Sequence, residues 1–143
     1  MKIKNLKDTP SIPVQVNRTG ELLTNAQSLS QAFGLSGLLV HREKIPPGCR
    51  ASTPHFHSTK EEIFLVESGN PSLWIEGEVT KLQAGDFIGF GPGRPARMIF
   101  NDSDNPAEIY TIGTNPPDDE VTYFQNDRIT LQPGVVPSDS TQD

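Results

Sequence analysis

Two histidines two residues apart, His55 and His57, are followed by adjacent carboxylates, Glu61 and Glu62, and then by Gly69. Side chains alternate between the two faces of a β-strand, so His55 and His57 project from one face. The apolar run Ile63-Phe64-Leu65-Val66 predicts a strand that begins near Glu62, which sets a carboxylate at its mouth. Two imidazoles and one carboxylate converging from neighbouring strands hold a divalent metal and leave positions open for water or substrate. The chain has three histidines, and two of them lie here. The competing interpretation of this spacing is a pair of turn histidines that hold no metal.

A second stretch, Gly85-Asp86-Phe87-Ile88-Gly89-Phe90-Gly91-Pro92-Gly93, leads to Asn101. Together the two stretches resemble the paired motifs of the cupin superfamily, small β-barrels built as a double-stranded β-helix. The first cupin motif runs glycine, a short spacer, His-x-His, Glu and a closing Gly. Gly48, His55, His57, Glu62 and Gly69 match it, with a first spacer one residue longer than usual. In the second motif Gly85 and Gly93 fit, Gly91 stands where proline is usual, and Asn101 closes the pattern. Arg97 stands where the motif has a fourth ligand histidine. The resemblance covers roughly residues 34 to 123 and is greatest to small single-domain bacterial cupins.

That resemblance implies an all-β, jelly-roll-like barrel with His55, His57 and Glu62 holding Fe, Mn, Ni, Co or Zn. It also implies a small polar or anionic metabolite as substrate or ligand. Oxygenation, isomerisation, lyase chemistry and decarboxylation all remain open, because one fold hosts many reactions. A non-catalytic binding cupin, or a structural one without metal, would carry the same motifs. Glu61 competes with Glu62 as the carboxylate ligand, since a spacing of three residues is also allowed. Glu62 is preferred: it precedes Gly69 by the motif distance and shares a face with Phe64 and Val66, which leaves Glu61 solvated.

Two further residues are catalytic candidates. Arg97 facing inward would be a permanent cation beside the metal, able to pair with a substrate carboxylate or phosphate, or with Glu62 itself. A register shifted by one would instead turn Ala96, Met98 and Phe100 inward and Arg97 out. Asn101 favours the first register. His41 shares a strand face with Leu39, Glu43 and Ile45, so it could supply a ligand or a proton, or be an ordinary strand residue.

The elements that must position these residues are short. Strands are predicted at Leu38–Ile45, Glu62–Glu67, Leu73–Glu76, Thr80–Leu82, Phe87–Phe90, Arg97–Phe100, Ala107–Ile112 and Thr122–Phe124. Turn signals such as Pro46-Pro47-Gly48 and Ser68-Gly69-Asn70-Pro71 separate them. Residues 1–33 are expected to form an extended arm, with Ile12, Val14 and Val16 alternating, and then a short helix or loop over Leu22–Phe33. Residues 34–131 are assigned to the barrel, and 132–143 to a polar tail.

Gly 12 and Pro 13 against 34% hydrophobic residues fit many short strands and turns better than long helices. A net charge of −6 and the absence of a Lys/Arg run argue against a nucleic-acid surface. The N-terminus lacks an apolar run, so neither a signal peptide nor a membrane span is expected, and the cytoplasm is the predicted location. Extended arms and exposed strand edges predict a homodimer. Cys49 is the single cysteine, which rules out an intrachain disulfide. Trp74 is a pocket, interface or core candidate, Arg50 and Arg94 are loop cations, and Asp118-Asp119-Glu120 is expected to be a solvated turn.

Overall fold

Alternating burial along the strands decides the layers of this protein, described here by a computed structural model covering residues 2–16 and 19–123. The strands are β1 (Ile12–Gln15), β2 (Leu22–Ser28), β3 (Leu38–Ile45), β4 (His55–His57), β5 (Glu62–Ser68), β6 (Ser72–Ile75), β7 (Glu78–Lys81), β8 (Phe87–Phe90), β9 (Gly93–Phe100), β10 (Ala107–Thr114) and β11 (Val121–Tyr123). Among the described residues they form two antiparallel sheets. One has the order β1-β2-β3-β10-β5-β8 and the other β11-β4-β9-β6-β7. The all-β barrel expected from the motifs is therefore present. Phe124 and residues 132–143 lie outside the described residues.

The inner faces of both sheets supply one core. Ile45, Phe64, Val66, Leu73, Phe90, Ile99, Ala107 and Ile109 pack together there. Phe64 and Val66, like Ala107 and Ile109, are two residues apart, so each pair sends both side chains inward. Burying each large apolar side chain contributes about 1.5–3 kcal/mol.

The outer face of the second sheet is buried as well. Trp74, Ala96, Met98 and Phe100 form a second cluster, with Phe56 packed against it. Trp74 pairs with Met98 across β6 and β9, while Leu73 pairs with Ile99 and faces the first core. β9 therefore takes the register that Asn101 favours, and the one that would turn Ala96, Met98 and Phe100 into the barrel does not occur. Arg97 and Ile99 face inward, and Ala96, Met98 and Phe100 fill an apolar layer on the other side.

Of the short helix or loop expected over Leu22–Phe33 the structure has one helical turn, Leu29–Ala32, capped by Ser28 Oγ accepting from the Gln31 N–H at 3.2 Å. Before it, Leu22–Ser28 is strand β2, paired to β1 on one side and β3 on the other. Backbone partners on both sides outweigh a weak helical pattern that contains Thr, Asn and Ser. β1 is an edge strand, where Pro13 is tolerated because its missing N–H leaves no ladder bond unmade. β9 starts at Gly93, four residues before the expected Arg97.

Two motif residues act on the frame and not on chemistry. Asn101 is fully buried; its Nδ2 donates to the Ile45 and Asn105 carbonyls at 2.8 Å, and its Oδ1 accepts from Ser103 Oγ at 2.6 Å. Gly69 has φ +84°, and a Cβ there would lie 2.7 Å from both Ala107 Cα and Pro106 O. No other residue fits that turn without moving β10.

Candidate metal centre

β4 carries both histidines inward, as alternation requires, with Phe56 between them on the outer face. The imidazole centroids are 5.0 Å apart and nearly perpendicular. Glu62 opens β5 on the facing sheet, and ligand atoms of His55, His57 and Glu62 all lie within 4.8 Å of one another. Glu62 is 4% exposed and His57 8%, whereas Glu61 is exposed, so the preferred carboxylate is the one that reaches the interior.

Each imidazole is fixed by an acceptor on its Nδ1. His55 Nδ1 lies 2.6 Å from the Thr53 carbonyl, and His57 Nδ1 lies 2.7 Å from Asp119 Oδ2. Both partners only accept, so Nδ1 carries a hydrogen on both rings and Nε2 is the nitrogen left for a metal. His57 Nε2 is 3.8 Å from Glu62 Oε2. Burial lowers the His55 pKa to about 4, against the hydrogen bond to Thr53 and the charge of Glu62, which raise it. That imidazole is neutral near pH 7, the state a metal ligand needs.

Asp119 is the functional candidate that sequence reasoning missed, since it was placed in a solvated turn. Its Oδ1 accepts from the backbone N–H groups of Thr59 at 3.0 Å and Lys60 at 3.1 Å. Burial favours its neutral form but is outweighed by the Thr59, His57 and Lys60 hydrogen bonds, which bring its pKa to about 2. The pairing of Val121 with His57, between β11 and β4, carries this carboxylate to the site. An acidic residue just before a short C-terminal strand was the available signal, but its partner strand was unassigned.

Arg97 is wholly buried and faces inward. Its Nε and Nη2 donate to Glu62 Oε2 at 3.1 and 2.5 Å, and its Nη1 reaches the Pro95 carbonyl at 3.2 Å. The guanidinium also lies over the Phe90 ring, 4.5 Å from the centroid. His55 pairs with Arg97 and His57 with Gly93, so β9 is irregular around Pro95, and that irregularity frees the carbonyl Arg97 uses. The anion that meets Arg97 is therefore Glu62.

A cavity of about 190 Å³ adjoins the triad. Glu43, Ser52, Lys60 and Thr111 give its polar wall, and Ala51, Phe64, Ile99 and Ile109 its apolar one. Glu43 accepts hydrogen bonds from Thr24 Oγ1 at 3.0 Å and Thr111 Oγ1 at 2.6 Å. His41 stands on the Glu43 face of β3 but one pair farther along, opposite Thr111, and does not line the cavity. Arg50 is not a loop cation at the mouth. It is 1% exposed and grips Glu21 through Nε at 2.8 Å and Nη2 at 2.7 Å. Arg94 is paired with Glu76 at 3.0 Å, and Trp74 belongs to the outer cluster.

His55, His57 and Glu62 fit a metal by donor type and spacing. The model of the cupin domain family matches residues 41–113, which include every residue of the triad. A putative sugar phosphate isomerase from Acidithiobacillus ferrooxidans is 28% identical and superposes with a TM-score of 0.76, over 82% of this chain and 76% of that one. A cupin-superfamily sugar phosphate isomerase from Silicibacter pomeroyi is 25% identical, with a TM-score of 0.79 over 88% and 83%. A predicted oxalate decarboxylase from Thermotoga maritima shares the fold at 19% identity, with a TM-score of 0.67 over 80% and 100%. The motifs, the two-sheet barrel and the family match agree, and the chain belongs to the cupin superfamily.

Proposed function

We propose that this cupin binds one divalent first-row metal through His55, His57 and Glu62 and acts on a small anionic metabolite in the adjoining cavity. One observation carries the proposal: two imidazoles with their Nδ1 positions already engaged converge with a buried carboxylate. Such outer partners orient ligands and raise their basicity. The metal would supply Lewis-acid polarisation, an activated water or an O₂ site. The sugar phosphate isomerase and the putative one, at 25–28% identity, favour a sugar phosphate and isomerisation among the reactions open to the fold. Glu43 is the cavity carboxylate positioned for proton transfer, and its two hydroxyl partners hold it in place. His41, which does not line that cavity, is given no part in this proposal.

A second reading is a binding cupin without metal. The Arg97–Glu62 pair favours it, because the guanidinium already compensates the carboxylate. The two readings separate on elemental analysis of protein purified without added metal, with His57→Ala as control. The metal reading expects near-stoichiometric metal in the parent and its loss in the variant. A parent that holds none, and takes up none when Mn²⁺, Fe²⁺, Co²⁺, Ni²⁺ or Zn²⁺ is supplied, selects the second.

The cytoplasm and a homodimer complete the proposal. No helix among the described residues is long and apolar enough to cross a membrane. Support for the dimer is the outer face of the larger sheet, where Leu38, Ile63 and Phe87 are exposed.

A further inference from the structure

We infer that Lys60 is the anion-anchoring residue of this cavity, released to bind substrate when the metal takes Glu62. This rests on the metal reading above and names the charge that reading leaves without a partner. Lys60 lies in the loop between β4 and β5, lines the cavity, and has a side chain only 13% exposed. Its Nζ is 3.8 Å from Glu62 Oε1, a loose pairing with no shorter contact among those described.

Two features hold it there. Its backbone N–H is bound by Asp119, the carboxylate that orients His57. Its stem crosses β10 at Gly113, where a Cβ would come within 2.7 Å of Lys60 Cε and 3.3 Å of Glu62 Cβ. A larger residue at 113 would displace this lysine from the site.

The two oxygens of Glu62 are not equivalent. Oε2 accepts two N–H groups of Arg97, while the contact of Oε1 among the described residues is the Lys60 ammonium at 3.8 Å. A divalent cation held by Glu62 would weaken the pull of that carboxylate on Lys60 and repel the ammonium as a like charge. The displaced ammonium stays in a narrow, largely buried space, where an uncompensated charge is costly. Even against Glu43, Glu62 and Asp119, the charges of Arg97, Lys60 and a divalent metal would leave the loaded site with net positive charge. An anionic group on the ligand, phosphate or carboxylate, is what satisfies it. An ammonium reads such a group as a point charge, so it selects for charge more than for shape.

The test uses the full chain, the variants Lys60→Met and Lys60→Arg, Co²⁺ as metal and inorganic phosphate as ligand. Cobalt loading is followed first, by its visible absorption. Lys60→Met is expected to bind Co²⁺ as tightly as the parent or tighter, because a competing cation is gone. Phosphate titrated calorimetrically into the cobalt protein is then expected to bind at least tenfold more weakly in Lys60→Met and within about threefold of the parent in Lys60→Arg. Equal phosphate affinity in parent and Lys60→Met overturns the inference and leaves the metal site standing, as does a loaded parent that binds no phosphate. Loss of cobalt in Lys60→Met also overturns it, by making Lys60 a support of the triad. A parent that takes up no cobalt overturns the metal reading and this inference together.

Discussion

Asp119 Oδ2 lies 2.7 Å from His57 Nδ1, although the two residues are 62 positions apart in the chain. The same carboxylate binds two backbone N–H groups in the loop after β4. It therefore orients one ligand ring and shapes the loop that carries Lys60. A carboxylate behind a ligating histidine also makes the ring a better donor to a cation.

Asp119→Asn should leave the fold intact and lower affinity for Co²⁺ by roughly 10–100-fold, the usual cost of losing such a partner. Competition against a chromophoric chelator measures this. Parent-like affinity would show that His57 needs no carboxylate behind it.

The Arg97–Glu62 pair is almost fully buried, with side chains 0% and 3% exposed. Removing one partner strands a charge, so Arg97→Met should cost about 3–5 kcal/mol in urea unfolding of the metal-free protein. The double variant Arg97→Met with Glu62→Met should cost less than the single change, because neither charge remains. A single variant within 1 kcal/mol of the parent would contradict this account of the pair.

Arg97→His tests the gap left by the fourth ligand from the other side. It offers a fourth imidazole where the superfamily motif has one, and it frees Oε2 of Glu62. Metal affinity should rise above that of the parent in the same chelator assay. No gain would mean that β9, irregular at Pro95, does not present residue 97 to the triad.

Acid should destabilise the metal-free protein in two steps. His55 has its pKa lowered from 6.5 to about 4 by burial, so the unfolded chain binds the proton first. The contribution of His55 is complete above pH 6.5 and is lost as the pH falls toward 4. Asp119, lowered from 3.8 to about 2 by hydrogen bonds that outweigh its burial, contributes above 3.8 and loses that contribution through about 2. Urea midpoints at pH 7, 5.5 and 4.5 follow the first step. His55→Gln should flatten the slope between 6.5 and 4, and an unchanged slope would assign it to other groups.

The homodimer is checked by light scattering at micromolar concentration, with a mass near twice that of one chain expected. Phe87→Lys, at an exposed position of edge strand β8, should shift the balance toward monomer. A parent that is monomeric throughout removes the dimer from the proposal.

Short-range periodicity decided much of this protein in advance. Alternation alone put His55 and His57 on one face, set Glu62 inward with Phe64 and Val66, and left Glu61 outside. Glycine and proline placed the turns, and the paired motifs gave the barrel. These are properties of residues one to seven positions apart, and the backbone conformation of a strand transmits them directly. What pairing across the sheets added was not visible in any such window. Leu22–Ser28 became a strand because β1 and β3 flank it, against its own weak helical spacing. Arg97 faced inward and Met98 outward at no expense to each other, because the outer face of the second sheet is covered too. Arg50, a loop cation by its sequence position, is half of a buried ion pair with Glu21. Asp119 reached His57 only through the register of β11 on β4. Each of these depends on which distant segment supplies the partner, and local spacing carries no information about that partner until the sheets have closed.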